Sequence, residues 1–209
     1  MSKPSVSSSV IKRLPRYYRF LGDLCRKGYT RISSRELSEK MGFTASQIRQ
    51  DLNCFGGFGQ QGYGYNVKEL HKAIGDILGV NSENKIIMIG AGNLGSAIAS
   101  HIDFRKKGFK LIGIFDSDPE KCGQEIAGVK VTDIAEIRRF CVAYKPVCAV
   151  LCIPKNSTQY VANSLVDLGV KAFWNFSHYD LKMEHESIIV ENVHLGDSLM
   201  TLAYGLNNQ

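Results

Sequence analysis

Between Ile86 and Ile102 the sequence reads IIMIGAGNLGSAIASHI: an unbroken apolar run, a glycine-spaced turn, and a segment with helical periodicity. A short apolar run without polar alternation is a strand buried on both faces. A chain that passes from such a strand through Gly90, Gly92 and Gly95 into a helix has few folds open to it. The spacing is that of a turn that receives a phosphate. Gly90 permits the tight turn, Gly92 lets the backbone approach a pyrophosphate, and Gly95 allows the helix to pack close to the strand. Ala91, Asn93 and Leu94 complete the loop, at a helix N-terminus where negative charge is stabilised.

The same alternation continues to Phe176. FKLIGIFD, VCAVLCIP and KAFWNF read as further strands, with IAEIRRFCVAYK and TQYVANSLVDLG as helices between them. Near-continuous apolar strands interleaved with helices predict an α/β unit, a Rossmann-like doubly wound parallel sheet. The second strand ends at Asp116, 26 residues after Gly90, close to the separation expected of an acid that binds ribose hydroxyls. Its charge opposes a 2′-phosphate, so NAD(H) is expected rather than NADP(H). His101, His178, His185 and His194 fall in no recognisable acid–base arrangement, and residues 83–209 leave no room for a separate catalytic domain. No catalytic residue is assigned. The nucleotide is expected to act as an effector.

Charge divides the chain. Residues 1–80 carry a net charge of +7 and residues 81–209 a net charge of −1, which points to an anionic partner for the first part. Within it, the segment from Val10 to Lys27 repeats Leu14, Tyr17, Tyr18, Leu21 and Leu24 at helical spacing, with Arg13, Arg16 and Arg19 near its polar side. Ser33 or Ser34 is a candidate N-cap for a second helix that buries Leu37 and Met41 and stops at Gly42. Thr44 caps a third, buried through Ile48, Leu52 and Phe55. This third helix leaves Ser46, Gln47, Arg49, Gln50 and Asn53 free to read base edges in a major groove. The stretch GGFGQQGYGYNV follows, a glycine-rich hairpin in which Gln60, Gln61, Tyr63 and Tyr65 would form a wing. Helix, helix, helix, hairpin predicts a winged-helix DNA-binding domain over residues 1–82.

A last amphipathic segment, VHLGDSLMTLAYGL, sets Leu195, Leu199, Leu202 and Leu206 on a narrow stripe that needs a partner surface, on its own domain or on a second subunit. Residues 83–191 are then the nucleotide domain and 192–209 a C-terminal dimerisation helix. The six cysteines, at positions 25, 54, 122, 141, 148 and 152, lack the paired spacings of metal sites, so no metal is expected. No apolar run is long enough to span a membrane and no signal-peptide core precedes the first helix, so the expectation is a cytoplasmic protein.

The stretches RLPRYYRFL, SSRELSEKMGFTASQIRQDLNCFGGFGQQGYGY, IGAGNLGSAIA, GIFDSDPEK and VLCIPKNSTQYVANSLVDLGVKAFWNF resemble the Rex family of redox-sensing transcriptional repressors. The resemblance covers nearly the whole chain. It implies a homodimer that binds inverted-repeat operator DNA, senses the NADH/NAD+ balance, exchanges a C-terminal helix between subunits and is released by NADH. It also implies that Pro154, Asn175 and Phe176 line the nicotinamide end and that Arg49 lies in the recognition helix; Arg13, on the polar side of the first helix, is a further DNA-binding candidate. This sequence departs from the family where Gln60 and Gln61 replace basic wing residues. It departs again where His101, a further candidate cofactor-binding residue, replaces a Tyr after the glycine-rich helix, and where His194 replaces an acid thought to pair with an Arg of the first helix, here Arg19. Asp197, one turn on, is a possible substitute. Two other readings stay open: an NAD-dependent oxidoreductase with a DNA-binding tether, and a coenzyme A-binding regulator.

Overall fold

The computed structural model describes residues 6–60, 63–183 and 187–208. The chain divides into two compact units, Met1–Asn81 and Ser82–Gln209.

In the first unit, α1 (Ser8–Arg26) buries the stripe Leu14, Tyr17, Leu21 and Leu24, and half-buried Tyr18 stacks on His71. Of the two serines open as caps for α2 (Ser34–Met41), Ser33 is the one used. Its side chain accepts from Glu36 N–H at 3.1 Å while Glu36 accepts from Ser33 N–H at 2.7 Å, a reciprocal capping box. Thr44 accepts from Gln47 N–H at 3.1 Å to start α3 (Ala45–Asn53), which turns Ile48 and Leu52 inward. Strands β1 (Arg31–Ile32), β2 (Gly59–Gln60) and β3 (Gly64–Asn66) form a small antiparallel sheet in the order β1-β3-β2. The last helix, α4 (Val67–Leu78), packs on α1 and closes the core with Leu70 and Ile74.

One polar group sits inside this core. Asp51 on α3 is 1% exposed and is held by Arg13 Nε and Nη2, each at 2.7 Å, by the Tyr17 hydroxyl at 3.0 Å and by Gln47 Nε2 at 3.3 Å. A buried carboxylate is tolerated only when its lone pairs are filled, and here they are. The result is a four-membered clamp between α1 and α3.

The second unit is a seven-stranded sheet in the order β10-β9-β8-β4-β5-β7-β6. Its strands are β4 (Asn84–Ile89), β5 (Phe109–Asp116), β6 (Glu125–Ile126), β7 (Val129–Asp133), β8 (Cys148–Leu151), β9 (Ala172–Asn175) and β10 (Ile189–Asn192). All pair in parallel except the β6–β7 hairpin. The period of two divides the core. Ile86 and Met88 join a cluster with Ile98, Phe104 and Val150, while Ile87 and Ile89 join one with Phe115, Leu165 and Phe173. The helices are α5 (Asn93–His101), α6 (Ile137–Tyr144), α7 (Lys155–Asp167) and α8 (Leu195–Asn207). Four strands were readable in the sequence. Strands β6, β7 and β10 were not, because they are short, lie at or next to the sheet edges and carry mixed polarity such as Val129-Lys130-Val131-Thr132. Helix α8 buries none of its residues, and Leu195, Leu199, Met200, Leu202, Tyr204 and Leu206 are all exposed. No described helix is long and apolar enough to cross a membrane.

Burial pushes the Asp51 carboxyl up, but the hydrogen bonds from Arg13, Gln47 and Tyr17 outweigh it and hold the group below its ordinary value. A carboxylate depressed in the folded state adds stability above its unfolded pKa of about 3.9 and loses it as pH falls through the folded value. We therefore expect Asp51→Ala to destabilise the first unit by about 3–5 kcal/mol at neutral pH, since Arg13 is left without its partner. The deficit begins to shrink below about pH 4, where the carboxyl of the unfolded wild-type chain protonates, and is lost as pH falls through the lower folded value. Denaturant unfolding at several pH values measures both.

Candidate functional site

The first unit presents a helix face. Ser46, Arg49, Gln50 and Asn53 are exposed, and their spacing of i, i+3, i+4 and i+7 puts them on one side of α3, opposite Ile48 and Leu52. Arg49 Nη1 donates to Ser34 Oγ at 3.1 Å, which steadies the guanidinium over the start of α2. Gln47, read as a fifth member of this face, is half-buried and directs its amide to Asp51.

Two further corrections come from the core. Arg13, placed among DNA contacts, has its guanidinium on Asp51 with the side chain only 22% exposed, because a bidentate pair takes the planar fork out of solvent. Arg16 likewise donates to the Met41 carbonyl at 2.6 Å and lies over the Phe43 ring. Tyr65, placed in the wing, is a core residue: strand alternation opposite Ile32 turns its ring inward, where burial pushes its hydroxyl pKa up. Tyr63 remains exposed at the hairpin. Gln61 lies outside the described residues, as does the Gln60 side chain.

Sequence reasoning missed Arg31. It is exposed on β1, its guanidinium lies 5.8 Å from the Tyr63 ring centroid and Nη1 donates to the Tyr63 carbonyl at 3.1 Å. A cation stands at the wing after all, carried by the neighbouring strand. Only the β1–β3 pairing, 33 or more residues apart in sequence, brings it there.

The second unit assembles a glycine loop at the start of α5. Gly90 ends β4 with φ +97°, and a Cβ on it would lie 2.4 Å from the Cys152 carbonyl oxygen. At Gly95 a Cβ would meet the Gly90 carbonyl oxygen at 2.0 Å. Gly92 is different: a Cβ there meets nothing within 4 Å. It is the N-cap of α5, with no side chain to occupy the first-turn N–H groups of Asn93, Leu94 and Gly95. The open space lies in front of unfilled donors at the C-terminal end of the sheet, between the strands β5 and β8 that flank β4, which is where an open α/β sheet binds its ligand.

Asp116 is held beside this loop by backbone donors. Its Oδ2 accepts from Ala91 N–H at 2.6 Å and its Oδ1 from Asp118 N–H at 2.9 Å. Burial pushes the carboxyl up, but these two N–H groups and Lys121 hold it below the ordinary range, so it is ionised. Two fixed backbone donors leave lone pairs for a ribose diol. The residues present fit a dinucleotide.

The other expected members are more scattered. Pro154 is the N-cap of α7, and its carbonyl accepts from Thr158 Oγ1 at 3.0 Å. Phe176 is half-buried, edge-on to Trp174. Asn175 is fully buried and internally satisfied. Its Nδ2 donates to the Tyr179 carbonyl and to Asn192 Oδ1, and its Oδ1 accepts from Ser177 N–H and Oγ. That corrects its place on a cavity wall, since it ties β9 to β10 and to the following turn. His101 ends α5, about 13 Å from the glycine loop by helix rise, and its Nδ1 pairs with the Ala97 carbonyl at 3.0 Å. His194 stacks on His178 with ring centroids 5.1 Å apart, and its buried Nδ1 has no hydrogen-bond partner among the described residues. Burial pushes the Cys148 and Cys152 thiols up to about 12, so neither is a thiolate at neutral pH.

The family model described as "Putative DNA-binding protein N-terminus" matches residues 5–53, and that described as "CoA binding domain" matches residues 81–179. The redox-sensing transcriptional repressor Rex of Thermoanaerobacter pseudethanolicus is 56% identical over 207 residues, 99% of this chain and 92% of that protein. The Rex repressor of Clostridium perfringens is 52% identical over 206 residues, 99% and 97% of the two chains. The chain belongs to the Rex family of redox-sensing transcriptional repressors. Solved structures agree. RSP, described as a Rex-family repressor, is 55% identical in its complex with β-NAD+ and operator DNA, covering 98% of this chain and 94% of that one with a TM-score of 0.91. RSP in complex with β-NADH is 52% identical, covering 98% and 96%, with a TM-score of 0.89.

For this Rex-family chain the three glycines separate by mechanism. Gly92→Ala fits the backbone and its neighbours, so thermal unfolding shifts by no more than about 0.5 kcal/mol equivalent, while NADH affinity measured by fluorescence titration falls at least several-fold. Gly95→Ala forces the helix off the strand and lowers stability and affinity together.

Proposed function

We propose that the protein is a DNA-binding repressor of the cytoplasm whose affinity for an inverted-repeat operator falls when NADH binds. A member of a repressor family, it is a regulator and not an enzyme. The observation that carries the reading is the presence, in one chain more than half identical to Rex repressors along its full length, of a polar recognition-helix face and a glycine loop with a pre-oriented ribose acid.

Ser46, Arg49, Gln50 and Asn53 read base edges in the major groove, while Tyr63 and Arg31 steady the wing on the backbone. Arg13 and Tyr17 act one step back, through Asp51, by setting the angle of α3 against α1, while Gln47 braces Asp51 from within α3. Gly90, Ala91, Gly92, Asn93, Leu94 and Gly95 hold the pyrophosphate, Asp116 the adenosine ribose, and Pro154 and Phe176 face the nicotinamide. NAD(H) supplies a redox state to be sensed, so the two states must differ in affinity for the DNA-competent form. The exposed apolar face of α8 fits exchange with a second subunit, giving a homodimer whose two-fold symmetry matches an inverted repeat. Coenzyme A shares the phosphate-cradling loop, but its 3′-phosphorylated ribose would face the Asp116 carboxylate. Calorimetry with both ligands separates the two readings.

A mobility-shift assay on an inverted-repeat promoter fragment tests the proposal. NADH releases the DNA and equimolar NAD+ does not, whereas equal retention with both overturns it. In the same assay Arg49→Ala weakens apo binding by about 1–3 kcal/mol with NADH titration unchanged.

A further inference from the structure

The turn after β5 carries a cation that the ribose acid does not need for its own satisfaction. Lys121 Nζ lies 3.3 Å from Asp118 Oδ2 and 3.6 Å from Asp116 Oδ2. Asp116 already has two backbone donors, and Asp118 Oδ1 accepts from Glu120 N–H at 3.0 Å. The ammonium is presented from a tied turn: Lys121 N–H donates to the Asp118 carbonyl at 3.1 Å and Cys122 N–H to the same oxygen at 3.3 Å. Its side chain is 35% exposed, so the ammonium reaches the acid pair while remaining partly open to solvent. Two carboxylates and one ammonium thus converge where the ribose 2′ position would be read, and leave a net charge of one negative unit.

Resting on the dinucleotide reading above, we infer that Lys121 is a specificity-determining residue of this site, setting how strongly the Asp116–Asp118 pair rejects a 2′-phosphate. A ribose 2′-hydroxyl is neutral and donates to Asp116, so its binding depends little on the neighbouring ammonium. A 2′-phosphate carries up to two negative charges, and its repulsion scales with the net charge around it. Removing Lys121 doubles that charge. The ligand class on which the residue acts is the 2′-phosphorylated adenine dinucleotide, against the unphosphorylated one.

Full-length wild type, Lys121→Met and Lys121→Arg are titrated with NADH and, in competition, with NADPH, at low and high salt. Lys121→Met keeps the apolar stem and removes the charge. It raises the NADH-to-NADPH affinity ratio about tenfold at low salt and by less at high salt, where exposed charges are screened, and Lys121→Arg restores the wild-type ratio. An unchanged ratio overturns the inference, as does an equal loss for both nucleotides, which would mean that Lys121 only holds the turn. Either result with tight NADH binding by wild type leaves the dinucleotide reading standing. A wild-type protein that binds neither nucleotide overturns that reading, and the Lys121 inference with it.

Discussion

The close approach of β4 to the loop after β8 governs the second unit. The Gly90 turn passes so near the Cys152 carbonyl that a single Cβ would collide at 2.4 Å, and the first turn of α5 rests against the Gly90 carbonyl at Gly95. With β4 paired on both sides, to β5 and to β8, any shift of this turn would disturb both ladders. The same crowding aims the α5 N-terminus into open space and brings Ala91 N–H onto Asp116. Packing and open donors therefore sit in one loop: Gly90 and Gly95 let the strand and helix close, and Gly92 between them leaves the donors unfilled.

The first unit solves a different problem. A recognition helix must hold a fixed angle while its outer face stays open to a partner, so its inner face has to carry most of the fixation. Ile48 and Leu52 provide burial, which is non-directional. The Asp51 clamp adds direction, because a bidentate Arg13, a Tyr17 hydroxyl and a Gln47 amide each fix the carboxylate along a separate line. Retaining a buried charge is a poor way to gain stability and a good way to specify one arrangement. A helix that slides here loses three hydrogen bonds to α1 together.

The boundary between legible and illegible follows the range of the interaction. Caps, apolar stripes and the glycine fingerprint are local, so Ser33, Thr44, the α1 stripe and Gly90 to Gly95 could be read directly. Arg13 looked like a surface arginine because its partner is 38 residues away, and Tyr65 looked like a wing aromatic because strand direction, which decides between inside and outside, is set by pairing with Ile32. Asn175 seemed to line a pocket, yet one partner, Asn192, lies on β10, a strand that the sequence pattern does not reveal, and the others in the turn that follows β9. Arg31 and Lys121 escaped notice for the converse reason: ordinary surface cations by composition, they gain meaning only from what folding sets beside them.

The sequence by itself determined the two-part architecture, the parallel sheet and the glycine loop that opens α5, because each depends on periodicity or on backbone freedom within a few residues. Only the tertiary structure decided which polar groups remain available. A carboxylate or guanidinium is free or committed according to neighbours from distant segments, and burial makes that commitment binding, since an unfilled lone pair away from water is too unfavourable to persist. Arg13 and Gln47 were thereby withdrawn to the frame of the helix, and Arg49, Gln50 and Asn53 were left facing outward.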